Sequence, residues 1–313
     1  MAAGTTTTVQ VDPEVNLFFD NILLDRHQPY YVYGYFAQER RIPQKNSKNA
    51  IFRRFDNLAD ALTPLTEGVT PNAEQVTKFD ITATVQQYGK VVELSDDVII
   101  TVQDQTANEV ADMLAQNMAS TYDKIVRNML VATSAQIDCL NGVNGNAVTE
   151  VTTTDLEIAV DYVTNNNGKK LSPNQEGTNA FGTAPVWSAF WMVISSELRT
   201  DFKNLSTFLA TAEYPRQQSV LEAELGSCDE VRLVMTSEAF KDASSPPIYS
   251  NMLFAANSYG RIMIDDQSME MIIKPLGAGQ DPLNQRQTMG WKGRLGSVIL
   301  DDSWCINLRS TKG

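Results

Sequence analysis

Hydrophobic and polar residues follow a helical period between Asp104 and Thr133. Apolar or small side chains recur there at steps of three and four residues: Ala107, Ala111, Leu114, Met118, Tyr122, Ile125, Met129 and Ala132. The spacing predicts one long amphipathic helix, roughly 45 Å in length at about 1.5 Å per residue. Such a helix suits a spine across a flat subunit or an ordinary core helix, and the spacing does not separate the two.

Alternation with a period of two predicts strands in the rest of the chain. The clearest case is 79–94, where Gly89 is expected to mark a turn or a bulge. Further strands are predicted at 184–194, 231–235, 261–265, 269–274, 288–300 and 304–308. Because strands and helices mix without regular βαβ alternation, the predicted fold class is α+β.

A second helix is predicted to begin at a capping box formed by Thr154 and Glu157. Its end is expected at 165–168, with Gly168 in the left-handed conformation. Shorter helices are predicted around 197–205 and 220–225, and the turn-rich stretch 141–146 is a candidate boundary.

The stretch 40–71 is polar, rich in turn formers and predicted to form a projecting hairpin. Residues 46–49 carry the turn signal, and 51–55 are expected on the return side. Against the three acids Asp56, Asp60 and Glu67, the stretch has six cations: Arg40, Arg41, Lys45, Lys48, Arg53 and Arg54. A basic arm on a chain of net charge −13 favours self-assembly, since the arm of one copy can bind the acidic surface of the next.

Residues 1–39 are predicted to form an extended arm with a short helix near 16–24. Four tyrosines cluster at its end: Tyr30, Tyr31, Tyr33 and Tyr35. They suit packing on the chain's own domain and contact with another subunit equally well.

Composition narrows the class of protein. The 313 residues are 42% hydrophobic and 20% charged, as in ordinary globular chains. A pI of about 4.6 argues against a protein that binds nucleic acid by neutralising phosphates. Cys139, Cys228 and Cys305 lie far apart without a CxxC spacing, which indicates a reducing, intracellular compartment. No signal peptide is expected, and the most apolar run, 186–194, is too short to span a bilayer.

No motif predicts a catalytic, metal or cofactor site. The single histidine, His27, is expected to be structural or solvated, and no GxSxG occurs. The acid pairs at 96–97, 265–266 and 301–302 suit helix capping or opposite strand faces better than chelation. A hydrolase, the rival from another class, would need a pocket that gathers Glu67, Asp97 and Glu224.

Four segments, in this order, carry a resemblance to a known family. They are KNSKNAIFRRFDNLADALTPLTEGVTP (45–71), QQYGKVVELSDD (86–97), LEAELGSCDEVRLVMTSEA (221–239) and DPLNQRQTMGWKGRLGSVILDDSWCINLRST (281–311). Together they resemble the major capsid proteins of tailed bacteriophages, which have the Hong Kong 97-type fold. The resemblance is greatest to the branch found in N4-like podoviruses.

The resemblance implies a layout of five parts. These are an N-terminal arm (1–39), an extended loop (40–80), a peripheral domain with a spine helix (81–135), an axial domain (136–258) and return strands (259–313). The return strands would include Arg294, Leu295 and Gly296. The chain would form hexamers and pentamers of an icosahedral shell around double-stranded DNA, without enzymatic activity or a cofactor.

The resemblance also implies partners. Other copies of the chain come first, then a scaffolding protein, a portal protein and, as an open question, a decoration protein. Packaged DNA would lie next to the chain without being bound by it, and no membrane would be a partner. Assembly in the host bacterial cytoplasm would yield a virion capsid. An encapsulin-like nanocompartment shell is the alternative that shares the fold.

The candidate intersubunit contacts all lie in the extended loop. They are Arg40, Arg41, Lys45, Lys48, Ile51, Phe52, Arg53, Arg54, Phe55 and Glu67. Arg53 and Arg54 are the best candidates for ion pairs between subunits, because guanidinium groups pair well with carboxylates. Some capsid shells cross-link a loop lysine to a neighbour's asparagine, but two solvated lysines at a turn are the favoured interpretation of Lys45 and Lys48.

Overall fold

The structure, a computed structural model, describes residues 31–45, 47–65, 67–68, 70, 72–101, 106–140, 147–171, 188–214, 221–264, 269–276 and 283–313. These residues form fourteen strands: β1 (Gln38–Ile42), β2 (Asn49–Phe55), β3 (Lys78–Thr84), β4 (Gln86–Ser95), β5 (Gln136–Asp138), β6 (Phe190–Ser195), β7 (Phe208–Ala210), β8 (Glu224–Cys228), β9 (Val231–Thr236), β10 (Tyr249–Phe254), β11 (Tyr259–Ile264), β12 (Met269–Lys274), β13 (Arg286–Ile299) and β14 (Cys305–Ser310). They also form four α-helices: α1 (Asp96–Thr101), α2 (Thr106–Val131), α3 (Thr153–Asn165) and α4 (Arg199–Lys203). The mixture confirms the predicted α+β class.

A seven-stranded sheet carries the larger core, in the order β5-β14-β10-β6-β9-β8-β7. Every residue of β6 and β10 is buried, because both faces of the sheet are covered. Helix α3 packs on one face, and the segment before β1 packs with the end of α2 on the other. Burial on both faces explains why these strands are mostly apolar rather than alternating; Ser195, Ser250 and Asn251 are their buried polar residues.

A second sheet has five strands and is organised around β13. The order is β1-β11-β13-β12, and β4 pairs along the other edge of β13. Helix α2 covers one face, where Leu114 and Tyr122 pack against Trp291 and Asn117 accepts a 3.1 Å hydrogen bond from the indole Nε1. The helix therefore contacts both sheets.

The long helix is confirmed, but its buried stripe is wider than predicted. Val110, Val126 and Leu130 are buried although the predicted face omitted them, while Ala132 is exposed. The difference arises because α2 packs first against the five-stranded sheet and then against the seven-stranded sheet.

The segment before β1 lies in the chain's own core. Tyr33 is fully buried, its amide donates to Asp123 at 2.9 Å, and its carbonyl accepts a 2.6 Å hydrogen bond from Tyr259. The two alternatives for the tyrosine cluster were packing on the chain's own domain and contact with another subunit. Tyr33 packs on its own domain, whereas Tyr35 is 46% exposed. Tyr30, His27, the predicted helix at 16–24 and the boundary at 141–146 lie outside the described residues.

Two predictions of local structure were wrong, one within a strand and one of a short helix. Gly89 is neither a turn nor a bulge: it lies within β4 in regular register with Lys292, and an added Cβ would stand 2.7 Å from the Trp291 carbonyl oxygen. The break between β3 and β4 falls at Val85 instead. The predicted helix at 220–225 is also wrong where it is described, because Glu224 begins β8 and pairs with Val234.

Helix α3 has a capping box, but at a different place from the one predicted. Thr152 is the N-cap, and its side chain and that of Asp155 each bond the other's backbone. At the other end Asn167, with φ of 58°, takes the left-handed conformation that was assigned to Gly168. Gly168 is required for a different reason, since an added Cβ would lie 2.3 Å from Val163 Cγ1.

Candidate intersubunit surface

The predicted hairpin forms, but its turn does not lie at residues 46–49. Strand β2 pairs with β3 in antiparallel register from Asn49 opposite Thr84 to Phe55 opposite Lys78. The Val85 amide donates to the Lys48 carbonyl at 2.9 Å, so Lys45 and Lys48 lie at the base of the hairpin, not at its tip. The turn formers there connect β1 to β2, and residues 51–55 belong to the outgoing strand.

The two faces of the hairpin have different environments. Phe52 is 5% exposed and packs on the inward face with Ile81 and Ile262. Its ring lies over Gly260, where an added Cβ would approach within 2.7 Å. Phe52 therefore anchors the hairpin to its own chain and leaves little surface for a neighbour.

Ile51, Arg53 and Phe55 lie on the outward face, because side chains alternate along a strand. Ile51 is 47% exposed and Phe55 is 63% exposed. Arg53 reaches Asp80 of the same hairpin at 3.8 Å and remains largely in solvent. The outward face thus exposes apolar area and a cation to solvent in the isolated chain, and its role as an intersubunit contact stays a prediction.

Three of the other predicted cations have partners within the chain. Arg40 lies over the Phe52 ring, 5.3 Å from its centroid, and Arg41 pairs with Glu39 at 3.0 Å. Arg54 pairs with Asp301 and lies 5.7 Å from the centroid of the Phe79 ring. Burial acts to raise the pKa of Asp301, but hydrogen bonds from Ser303 and Arg54 outweigh it and lower that pKa.

Residues 56–77, here called the loop tip, connect β2 to β3. The loop tip contains four acids, Asp56, Asp60, Glu67 and Glu74, and no lysine or arginine. The prediction of a basic projecting arm is thus incomplete. The cations lie at the base and along the strands of the hairpin, whereas the loop tip is acidic. Glu67 lies there and is exposed.

The loop tip is also apolar and unprotected. The large apolar side chains in its described part are strongly exposed: Leu58 (56%), Leu62 (87%), Leu65 (75%) and Val76 (62%). Its two ends are joined by hydrogen bonds from the Asp56 amide to the Thr77 carbonyl and from the Ala59 amide to the Glu74 carboxylate. Large apolar side chains exposed in numbers on one segment are typical of surfaces that bind another protein.

A second surface was missed by sequence reasoning. On the face of β13 opposite α2, Gly290 lies between Val91 of β4 and Ile272 of β12. A groove of about 490 Å³, here called the sheet groove, is lined by residues of these three strands, and Val91 beside it is 65% exposed. Val91, Gly290 and Ile272 form one row only because three strands distant in sequence pair with each other. No local signal in the sequence could therefore have predicted this surface.

The described residues do not assemble a catalytic or metal site. No group of three or more His, Cys, Asp or Glu side chains in this part of the chain could hold a metal ion. Glu224 is buried against Arg232, while Glu67 is exposed in the loop tip. The pocket that a hydrolase would need from Glu67, Asp97 and Glu224 is therefore not formed.

The cysteines and Asp302, which could also take part in chemistry, are held by burial or by hydrogen bonds within the chain. Cys139, Cys228 and Cys305 are buried, and burial raises the pKa of each thiol, which keeps it protonated and unreactive. Asp302 accepts hydrogen bonds from Thr133 and Ser134. No described helix is long and apolar enough to cross a membrane.

Comparison with known proteins gives a consistent picture. A family model described as "Phage capsid protein" matches residues 78–307. No curated protein sequence matches the chain significantly. The sequence relationship thus rests on the family as a whole rather than on one characterised relative.

Solved structures with the same fold span nearly the whole chain. The capsid of Ralstonia phage GP4 aligns with a TM-score of 0.70 at 12% identity, covering 99% of both chains. The capsid of cyanophage P-SCSP1u aligns at 0.67 and 16% identity, covering 99% of this chain and 96% of the other. The head structure of Helicobacter pylori bacteriophage KHP40 aligns at 0.65 and 11% identity, covering 100% and 99%. The tailed-phage capsid fold is confirmed, and the narrower resemblance to the N4-like branch stays a prediction.

Proposed function

The chain belongs to the phage capsid protein family, and from that membership we propose that its copies form the hexamers and pentamers of an icosahedral shell around double-stranded DNA. The family match over residues 78–307 carries this conclusion. The family and the fold are structural, and the role of the chain is that of a major capsid protein. The same membership favours a phage capsid over an encapsulin-like compartment.

The surface of the hairpin supports the proposal. Ile51 and Phe55 on its outward face, with Leu62 and Leu65 in the loop tip, place apolar area in water in the isolated chain. Burial of apolar surface stabilises association by about 25 cal/mol per Å². Each contact contributes little free energy of association, but a closed shell repeats the contact around every subunit, and these free energies add.

The layout follows the resemblance. Residues 1–39 would be the N-terminal arm, 40–80 the extended loop, 81–135 the peripheral domain, 136–258 the axial domain and 259–313 the return strands. Two facts refine it: the arm is tied to α2 through Tyr33 and Asp123, and the extended loop is a hairpin followed by an acidic tip. Axial domains would meet around the fivefold and sixfold axes.

The partners follow from the same role. Other copies of the chain are the main partners, and a scaffolding protein and a portal protein are expected during assembly; a decoration protein stays an open question. The packaged DNA would be a neighbour rather than a ligand, in agreement with a net charge of −13. Assembly would take place in the host bacterial cytoplasm and the product would be the virion capsid.

Purified protein at micromolar concentration tests the proposal by sedimentation and negative-stain electron microscopy. With and without a co-expressed scaffolding protein from the same genome, the expected products are closed shells or capsomers. A protein that stays monomeric in every condition, including co-expression, would contradict the proposal. Nuclease-protected DNA in particles from infected cells would test the nature of the cargo.

A further inference from the structure

Strand β12 lies at an edge of the five-stranded sheet. Among the described residues it pairs only with β13, so the backbone groups along its other side have no partner strand. The pairing with β13 runs in regular register from Met269 opposite Gly293 to Lys274 opposite Thr288. Soluble proteins commonly protect an edge strand with a bulge, a covering segment or charges, because an open edge can pair with another chain.

One face of β12 is apolar and exposed. Met271 pairs with Trp291 and Ile273 with Met289, and both partners on β13 pack in the cluster beneath α2. Since directly paired residues share a face and side chains alternate along a strand, Met269, Met271 and Ile273 lie on the α2 side of the sheet. They nevertheless remain 45%, 39% and 52% exposed. An exposed apolar row on an open edge is typical of a surface that binds another protein.

The other face of β12 carries two opposite charges at equal distances from its centre. Glu270, Ile272 and Lys274 lie on this face, because they alternate with the apolar row. The Glu270 side chain is 54% exposed and lies 3.7 Å from Lys292, and Lys274 is exposed as well. Ile272 stands midway between the acid and the base. A strand with this pattern is complementary to a second copy of itself in antiparallel orientation.

We propose that β12 of one copy pairs in antiparallel orientation with β12 of a second copy, with Ile272 opposite Ile272 of the partner subunit. In this register Glu270 faces Lys274 of the partner subunit, and Met271 faces Ile273 of the partner subunit. Each of these two pairs occurs twice in the contact, and cross-strand pairs of opposite charge or of apolar residues stabilise a sheet. The proposal rests on the proposed shell function, in which this contact would join neighbouring rings of subunits.

The charges favour this register over its neighbours. A shift by one position sets Met271 opposite Ile272, so the apolar row of one copy shares a face with the charged row of the other. With Met271 opposite itself, Glu270 faces Ile272. With Ile273 opposite itself, Lys274 faces Ile272. Only the register centred on Ile272 pairs both charges. The contact is isologous, since both copies use the same strand about a two-fold axis, and such a contact links two subunits rather than closing a ring.

A single introduced cysteine tests the contact in assembled particles. The native cysteines are buried, and Ile272→Cys would bring two thiols close together, because the Cβ atoms of directly opposed residues are about 5 Å apart. A short bismaleimide is expected to convert most of the monomer band on a reducing denaturing gel into a covalent dimer. The matched control is Val91→Cys, which lies on the same face of the sheet and is 65% exposed. It should leave monomers.

The outcomes separate the inference from the function on which it rests. Normal particles in which Ile272→Cys gives no more dimer than Val91→Cys would overturn the strand pairing and leave the shell function intact. Absence of particles from the unmodified chain would instead refute the proposed function. Cross-linking of the soluble chain at micromolar concentration would then decide the pairing by itself, because a dimer specific to Ile272→Cys supports it and a monomer overturns it.

A charge exchange gives a second, independent readout. Glu270→Lys or Lys274→Glu alone sets like charges opposite each other twice per contact, and each should reduce the yield of closed shells several-fold at low ionic strength, with separate rings left in sedimentation. The double variant restores opposite charges and is expected to recover most of the yield. Glu93→Lys is the matched control, since Glu93 is an exposed acid on the same face of β4. A double variant that assembles no better than either single one would overturn the proposed register.

Discussion

Arg54 on the hairpin forms an ion pair with Asp301, which lies between the last two strands of the same chain. The two residues are 247 positions apart in the sequence, yet they join the hairpin to the body. Arg53, one position earlier, lies on the outward face and reaches only Asp80 of its own hairpin, at 3.8 Å. The ion pair of Arg54 thus positions the hairpin, and Arg53 is the better candidate for contact with a neighbour.

Arg54→Ala should loosen the hairpin, and Arg53→Ala should not. Arg54 is 47% exposed and Asp301 16% exposed in their side chains, so solvent screening limits the loss to about 0.5–1 kcal/mol. Hydrogen exchange at the Val85 and Asp56 amides would measure it. Because the pKa of Asp301 is lowered, its contribution is present above the ordinary aspartate pKa and is lost as the pH falls. Equal exchange rates in both variants would contradict this role.

Phe52 and Phe55 should separate folding from assembly. Phe52→Ala opens a cavity in the cluster around Ile262 and should cost about 3–5 kcal/mol in that region. Phe55→Ser changes a side chain that is 63% exposed and should alter the free energy of unfolding by less than about 0.5 kcal/mol. Phe55→Ser monomers should nevertheless form fewer shells, as measured by sedimentation. Unchanged shell yield would remove Phe55 from the contact.

Asp123 should make the attachment of the N-terminal segment sensitive to pH. Burial raises the pKa of Asp123 from 3.8 to about 6, and backbone hydrogen bonds from residues 32–34 and the charge of Arg127 only partly oppose it. Since the folded state holds the proton more tightly, stability is greatest below the ordinary pKa and is lost as the pH rises through about 6.

Comparison with Asp123→Asn isolates this effect from other titrating groups. The difference in unfolding free energy between the unmodified chain and Asp123→Asn should shift by about 1–3 kcal/mol between pH 4 and pH 7, in favour of the unmodified chain at the lower pH. Denaturant titrations at several pH values would measure it. A difference that stays constant would show that Asp123 is charged throughout.

The buried pair of Arg232 and Glu224 should be sensitive to removal of one partner. The guanidinium donates to the carboxylate at 2.7 Å and 2.5 Å and lies 4.1 Å from the centroid of the Trp191 ring. Their side chains are 2% and 0% exposed, so Arg232→Met leaves a buried charge and should cost about 3–5 kcal/mol. Adding Glu224→Leu should recover most of the loss in a thermal or denaturant melt. A double variant as unstable as Arg232→Met alone would contradict this explanation.

Elements with a strong period could be predicted from the sequence. Helix α2 and strands β9, β13 and β14 were found because each buries one side, or both, over many residues. Strand β12 was also predicted, although none of its residues is buried. The class of fold and the self-assembling role followed from these elements together with the four resembling segments. The buried face of α2 was only partly predicted, since two different sheets cover it.

Where predictions failed, pairing between distant segments decided the structure. Residues 46–49 have the composition of a turn, but the pairing of Phe52 with Ile81 places Lys48 and Asn49 at the base of the hairpin. The capping box was displaced by two residues because Thr152 with Asp155 and Thr154 with Glu157 have the same spacing, and only packing distinguishes them. Gly290 gave no local sign that it lies between Val91 and Ile272.

The position of the last strands has a consequence for biosynthesis. Strand β13 joins β4 to β11 and β12, and β14 joins β5 to β10. The five-stranded sheet therefore cannot be completed until residues 286–299 have left the ribosome, nor the seven-stranded sheet until residues 305–310 have, and contacts of such sequence separation form slowly. A chain that ends before β13 lacks the central strand of one sheet and β14 of the other, so we expect it not to form a stable body that could enter an assembly.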